Sequence, residues 1–97
     1  MHLQIPHKLS KGDAVAQVKK VLIDAKPHLG DKAQIEEERW EGDTLHFAFT
    51  ANAQHITGAL EVKDNEFVLD AKLPLMLRMF EGKIERMIQD QSKQMLG

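Results

Sequence analysis

The spacing of apolar residues changes twice along this chain of 97 residues, from helical to alternating and back to helical. A short apolar segment at residues 2–6 predicts a first strand, which Pro6 should end because proline cannot donate to a sheet ladder. Ser10 then suits a helix N-cap, and Pro27 and Gly30 should bound that helix at its far end. The stripe expected to face the core consists of Ala14, Val18, Val21, Leu22, Ala25 and Leu29.

From residue 33 onwards, apolar and polar residues alternate, which predicts antiparallel strands with one buried face. Tight turns at Asn52–Ala53 and Asp64–Asn65 separate the runs. Gly58 and Ala71 meet in the middle, where their small size would allow a helix to approach the sheet closely. A slip of one residue would send the whole apolar set to water, so the turns predict one register. Its pairs are Phe49 with Ile56, Phe47 with Gly58, Leu45 with Leu60, Val62 with Phe67, Leu60 with Leu69, Gly58 with Ala71, and Ile56 with Leu73.

The single tryptophan precedes a polar turn in the stretch "RWEGDTLHF". If Gly42–Asp43 is a two-residue turn, Trp40 lies opposite Leu45 and joins the rim of the buried face. Simple alternation back from Trp40 would turn Ile35 outward and glutamates inward. A β-bulge within residues 36–39 would return Ile35 to the inside. The alternative is an edge strand whose run of glutamates is solvated.

The final segment returns to helical spacing, and Pro74 suits the start of one long helix. Gly82 costs about 1 kcal/mol relative to alanine inside a helix, so it is expected to permit close contact with the sheet or the first helix. Leu75 and Met79 fall off the inner stripe, and their exposure would create an apolar patch where the helix starts. The inner stripe is expected to contain Met76, Leu77, Phe80, Ile84, Met87, Ile88, Gln91 and Met95.

Two helices and five strands in the order βαββββα predict an α+β fold, a two-layer sandwich whose antiparallel sheet carries helices on one face. A long last helix across a curved sheet would make the arrangement reduced and helix-grip-like. The first strand is expected beside the last one, and residues 1–97 are expected to form a single domain. The core architecture is expected to depend on Trp40, Gly42, Leu45, Phe47, Gly58, Leu60, Leu69 and Ile84.

Composition narrows the functions that this fold could serve. The sequence has no cysteine, which excludes disulfides and thiolate metal sites and is typical of a reducing cytoplasm. The pattern indicates neither a membrane span nor a signal peptide. A net charge of −2 gives no overall basic field for nucleic acid. Residues 1–33 nevertheless carry six lysines and three aspartates. This local positive charge is interpreted either as an ordinary solvated face or as an electrostatic docking face.

Candidate chemistry is sparse. Among five histidines, His46 shares a row with Ala59 and Asp70 on the outer sheet face. The ends of that row would be about 9–10 Å apart, too far for a direct bond, so a solvated face is the simpler interpretation. The sequence contains no metalloprotease helix motif, nucleophile elbow or phosphate-binding glycine loop. We therefore expect no enzyme activity, cofactor or metal, and assign no catalytic residue.

Four stretches form a specific combination: "IPH.LS..DA" at 5–14, "RWEGDTLHF" at 39–47, "ITGALEV" at 56–62 and "FVLDAKLPLMLRMFEGKIERMI" at 67–88. With them, the chain resembles the polyhydroxyalkanoic acid system proteins over nearly its whole length. These are small bacterial proteins, often encoded near polyester-storage genes and described as granule-region or granule-regulatory proteins. The family offers no established active site to transfer, so Trp40 and its turn are interpreted as architectural.

The resemblance implies a non-enzymatic accessory protein of polyhydroxyalkanoate metabolism, acting in the cytoplasm at the polyester granule or on a granule protein. The expected contact surface is Leu75, Met79 and Phe80, assisted by the lysines of the first helix. One alternative is a carrier that holds a hydroxyacyl or fatty-acyl chain between the sheet and the last helix, which requires an apolar cavity of at least ~300 Å³. Another is a homodimeric scaffold that uses the open sheet face or the last helix.

Overall fold

The computed structural model describes residues 1–30 and 32–96. Side chains are described except at residues 28, 29 and 94–96, so the expectations for Leu29 and Met95 lie outside the described part. In chain order the described elements are β1 (His2–Pro6), α1 (Lys11–Leu29), β2 (Ala33–Glu41), β3 (Thr44–Ala51), β4 (Gln54–Val62), β5 (Glu66–Lys72), α2 (Leu75–Arg78) and α3 (Glu81–Leu96).

The strands of the described chain form one five-stranded antiparallel sheet in the order β1-β5-β4-β3-β2. The α+β class is confirmed, and β1 lies beside β5 as expected. Pairing of β4 with β5 stops at Thr57 and Lys72, so Ile56 and Leu73 do not pair as predicted. The other predicted pairs form: Trp40 with Leu45, Leu45 with Leu60, Phe47 with Gly58, Phe49 with Ile56, Leu60 with Leu69, Gly58 with Ala71, and Val62 with Phe67.

Backbone angles show how two of the turns are made. Asn52 and Ala53 have φ of 51° and 64°, the pair of positive values that suits a hairpin turn between twisted strands. Asparagine tolerates this region, whereas the Cβ of alanine makes it costly. Gly42 has φ of 61° at the start of the turn between β2 and β3, which glycine adopts without that cost.

β2 contains the expected bulge, at the start of the predicted stretch. Its register with β3 shifts between Ile35 and Glu37, so Glu36 is the extra residue. Trp40 then packs against the core, and Ile35 faces the same inner side of the sheet. One inserted residue therefore brings both apolar side chains of this strand inside.

The core lies where the first half of α1 crosses the sheet. Ala14, Val62 and Phe67 are buried there. The Nζ of Lys19 lies 5.3 Å from the ring centroid of Trp40, close enough for a cation–π contact. Trp40 therefore links α1 to the sheet, as its architectural interpretation requires. The half-buried apolar residues around this cluster are Ile5, Leu9, Val15, Val18, Trp40 and Leu60.

Polar contacts fix the start of α1. The hydroxyl of Ser10 accepts a hydrogen bond from the backbone N–H of Asp13 at 3.1 Å, which confirms the predicted N-cap. The Nζ of Lys11 lies 3.0 Å from the carboxylate of Asp43, and this hydrogen bond raises the pKa of Lys11. The helix continues past Pro27, so Gly30 alone marks its end.

The final segment departs from the prediction of one long helix. The helix breaks at Met79–Phe80. There the backbone N–H of Phe80 donates to the carbonyl of Leu77 at 3.0 Å. This bond spans three residues, as in a 3₁₀ turn, instead of the four that an α-helical bond spans. The expected inner stripe is interrupted as a result. Met76, Phe80, Met87 and Gln91 are exposed, so their assignment to that stripe is wrong.

α3 packs beside β1 rather than across the middle of the sheet. The amino group of Met1 lies 3.0 Å from the carboxylate of Glu81, which fixes the first turn of α3 to β1. Ile84 is half-buried. A Cβ added at Gly82 would meet no atom within 4 Å, so the close contact expected at this glycine is absent. α3 therefore leaves the middle of the inner face open.

Gly58 is crowded, but not by a helix. A Cβ at this position would lie 2.4 Å from the backbone oxygen of Asp70 and 2.7 Å from the Cζ of Phe47. The ring of Phe47 thus occupies the space that a side chain at position 58 would take. The small size of Gly58 therefore makes room for an aromatic ring of the neighbouring strand, where the sequence had suggested room for a helix.

The Gly58→Ala variant is expected to lose about 1–3 kcal/mol of unfolding free energy, because the carbonyl that meets the new methyl group belongs to the backbone of β5. Gly82→Ala is the matched control, since its methyl group meets no neighbour and helix propensity favours it by up to about 1 kcal/mol. Urea unfolding of both variants measures the difference. Equal stability of the two would contradict the crowding at Gly58.

The Ala53→Gly variant is expected to raise the unfolding free energy by about 0.5–1 kcal/mol, because relief of the positive φ outweighs the added chain entropy of glycine. Ala59→Gly in β4 is the control and should lower stability, since Ala59 is not among the residues with positive φ. Thermal unfolding of the two variants provides the comparison. A loss at both positions would show that the turn holds Ala53 without strain.

Candidate functional site

The inner face of the sheet carries an apolar groove between α1 and α3, here called the inner groove. Its volume is about 350 Å³ and it is partly open to solvent. Thirteen of its seventeen lining residues are apolar. These thirteen are Ile5, Val18, Val21, Leu22, Ile35, Leu45, Phe47, Ala48, Phe49, Leu60, Phe67, Leu69 and Ile88.

The groove exists because two parts of the fold hold its walls apart. α1 is fixed over the core near Trp40, whereas α3 follows β1 on the other side of the sheet. Phe47, Leu60 and Leu69 are consequently half-buried rather than covered by the last helix. Phe47 and Phe49 stack with ring centroids 6.2 Å apart and form part of the floor. The size meets the ~300 Å³ that an acyl-binding cavity was expected to need.

The described lining of the inner groove contains few polar groups, and none of them is basic. They belong to Gln17, Glu37, Glu38 and Ser92. The side chain of Glu37 belongs to the outer face, because Glu37 lies opposite Ala48 and its carboxylate lies 3.6 Å from the Nε of Arg39, which lies opposite His46.

Glu38 therefore supplies the carboxylate on the groove side. It lies 3.3 Å from the Nζ of Lys26 on α1, a residue outside the lining. The described lining is thus apolar apart from two neutral polar side chains and this one carboxylate.

A second apolar surface surrounds α2. The exposed apolar segment, defined as Leu75, Met76, Met79 and Phe80, has side chains exposed by 78 %, 69 %, 83 % and 55 %. The structure therefore brings together the three residues proposed from the sequence, Leu75, Met79 and Phe80, and adds Met76. Sequence reasoning assigned Met76 to the core because helical spacing assumes an unbroken helix. No residue of this segment lines the inner groove.

The histidine row on the outer face does not form a linked site. Asp70 contacts the Nδ1 of His2 on the neighbouring strand β1, while the Nε2 of His46 lies 3.3 Å from Glu41. His46 and Asp70 thus have separate partners. Among the described residues, no group of three histidine, aspartate or glutamate side chains is placed to hold a metal ion.

Glu36, Thr50 and His55 form a polar cluster that sequence reasoning missed, because the bulge decides where Glu36 points. The hydroxyl of Thr50 donates to Glu36 Oε1 at 2.6 Å, and this hydrogen bond lowers the pKa of Glu36, with a smaller contribution from His55. The Nδ1 of His55 lies 3.0 Å from the same carboxylate oxygen and 3.3 Å from Thr50 Oγ1. The hydroxyl of Thr50 and the carboxylate of Glu36 both contact the same ring nitrogen of His55. An activated hydroxyl nucleophile instead requires the hydroxyl at one ring nitrogen and the carboxylate at the other, so this cluster lacks that arrangement.

His7 is the second residue whose role the sequence did not reveal. It is buried, its ring centroid lies 4.8 Å from that of Phe67, and its backbone N–H donates to Asn65. Its Nδ1 accepts from the backbone N–H of Leu9, so Nε2 is the nitrogen that donates to the carbonyl of Lys63 at 2.9 Å. His7 therefore ties the end of β1 to the turn between β4 and β5, which is an architectural role.

The chain matches the family model described as Putative polyhydroxyalkanoic acid system protein over residues 1–96. It therefore belongs to this family, and the resemblance noted from its motifs is confirmed. No curated protein and no solved structure gives a significant match. Among the described residues, no helix is long and apolar enough to cross a membrane.

Proposed function

We propose that this member of the polyhydroxyalkanoic acid system family is a non-enzymatic accessory protein that binds the polyester surface of the storage granule in the cytoplasm. The observation that supports this role most directly is the exposed apolar segment. Four large apolar side chains within six residues face solvent there, and each is more than half exposed. Contiguous apolar exposure of this kind marks interaction surfaces more often than scattered exposure does.

The side chains of this segment suit an irregular apolar surface. Met76 and Met79 are unbranched and flexible, so their thioethers can adapt to a surface without fixed pockets. Phe80 adds a broad ring, and Leu75 is exposed at the start of α2. A polyester surface presents ester groups and alkyl side chains but no fixed binding pockets. Flexible apolar side chains can adapt to such a surface better than a rigid set of polar groups can.

The lysines of α1 make a smaller contribution to this proposal than their number suggests. Lys11 contacts Asp43, Lys26 contacts Glu38, and Lys19 lies over Trp40. Three of the four lysines in α1 are therefore engaged within the chain. The exposed apolar segment supplies the main binding energy on this account.

The double variant Leu75→Asp, Met79→Asp is expected to weaken binding to polyhydroxyalkanoate particles at least about tenfold, because burial of each side chain contributes about 1.5–3 kcal/mol. Sedimentation with protein-free particles and with native granules measures the effect. Ile23→Asp is the matched control, since Ile23 is 66 % exposed on α1 and lies outside both apolar surfaces.

Both variants should retain the unfolding free energy of the wild type, since the substituted side chains are exposed. Unchanged sedimentation of the double variant would remove the exposed apolar segment as the binding surface. Binding to native granules but not to protein-free particles would move the target from the polyester to a granule protein. Equal loss in the Ile23→Asp control would indicate nonspecific adhesion instead.

A second candidate function is favoured by the inner groove. An apolar, partly open groove of about 350 Å³ is large enough to hold a hydroxyacyl or fatty-acyl chain. This role is compatible with the first, because the two surfaces share no residue. The homodimeric scaffold stays a prediction, which light scattering can test.

A further inference from the structure

We propose that the inner groove selects an acyl chain in neutral, esterified form and discriminates against the free fatty acid. This inference rests on the second candidate function, acyl binding in the groove, and adds the charge state of the ligand. It is carried by a large apolar lining that contains no basic side chain among the described residues and has the carboxylate of Glu38 on the groove side.

The apolar part of the lining excludes ligands with many polar groups. Floor and walls are built from aliphatic and aromatic side chains of α1, α3 and all five strands, with Phe47 and Phe49 stacked on the floor. An extended peptide would bring a backbone N–H and C=O with every residue, and few lining groups could bond them. An alkyl chain has no such requirement, so the lining favours one.

The one carboxylate on the groove side opposes an anionic ligand. Glu38 lines the groove, and its partner Lys26, 3.3 Å away, lies outside the lining. A fatty-acid carboxylate entering here would lose water and meet Glu38 without a basic side chain in the described lining. Desolvation of an unpaired charge is costly, and neighbouring like charge adds to the cost.

An ester avoids that cost and still finds a polar partner. Its carbonyl oxygen requires only a hydrogen-bond donor, and the amide of Gln17 in the lining has N–H groups that can supply one. The hydroxyl of Ser92 donates to the carbonyl of Ile88 at 2.8 Å, so it remains as an acceptor for a hydroxyl group on the chain. The lining therefore favours a neutral hydroxyacyl ester over the corresponding carboxylate.

Titration of the full chain with methyl octanoate and with octanoate at neutral pH tests the inference. Methyl resonances of Val21, Leu22 and Leu69 in NMR spectra locate the site, and calorimetry gives the affinities. The ester should bind at least about tenfold more tightly than the carboxylate, a difference of about 1.4 kcal/mol. Shifts confined to Leu75 and Met79 would overturn groove binding.

Two variants separate charge selection from ordinary adhesion. Glu38→Gln removes the carboxylate on the groove side and leaves Lys26 without its partner, so the affinity for octanoate should rise to within about threefold of the affinity for the ester. Val21→Trp should fill the groove and weaken both ligands at least about tenfold. If that variant fails to fold, Leu69→Trp fills the groove from the sheet side.

The outcomes separate this inference from both proposed functions. Equal affinity for ester and carboxylate would overturn charge selection while leaving acyl binding intact. No binding of either probe would overturn acyl binding in the groove, and granule sedimentation would be unaffected by that result. If light scattering shows that Val21→Trp dissociates a dimer, a second copy of the chain occupies the groove and the inference is wrong.

Discussion

The extra residue at Glu36 sets the geometry on which the rest of this structure depends. Because side chains in a strand alternate between faces, an uninterrupted β2 could place either Ile35 or Trp40 inside, but not both. The bulge permits both. Trp40 then joins the core at one end of the sheet, and Ile35 joins the lining of the inner groove. One inserted residue thus connects the closed and open parts of the inner face.

The helices cover these two parts unequally. α1 is held by the cap at Ser10, the ion pair of Lys11 with Asp43 and the contact of Lys19 with Trp40. α3 is attached to β1 and does not reach over the middle of the sheet. A chain of this size buries a smaller fraction of its surface than larger proteins do, and here part of the apolar inner face, including Phe47, Leu60 and Leu69, is only half-buried.

Sequence periodicity could predict the sheet because each hairpin constrains its neighbours. Two tight turns must agree on one face, and that requirement determines the pairing of Leu45 with Leu60. The bulge was predictable for the same reason, since Ile35 would otherwise be exposed. The approximate candidate surface at Leu75 and Met79 also followed from their position off the helical stripe.

The placement of the last segment could not be predicted in this way. Periodicity indicates which side of a helix is apolar, but it does not say whether another element covers that side. A break at Met79–Phe80 reorients the residues before it, and the preceding Met76 becomes exposed. The inner groove escaped exact prediction because its width depends on the distance between α1 and α3, which no local pattern encodes.

Apolar surface without an internal partner remains in two separate places, the inner groove and the segment around α2. Since folding alone favours burial of such surface, both places offer free energy that folding does not use, and the carboxylate of Glu38 distinguishes the groove from the uncharged side chains of the α2 surface.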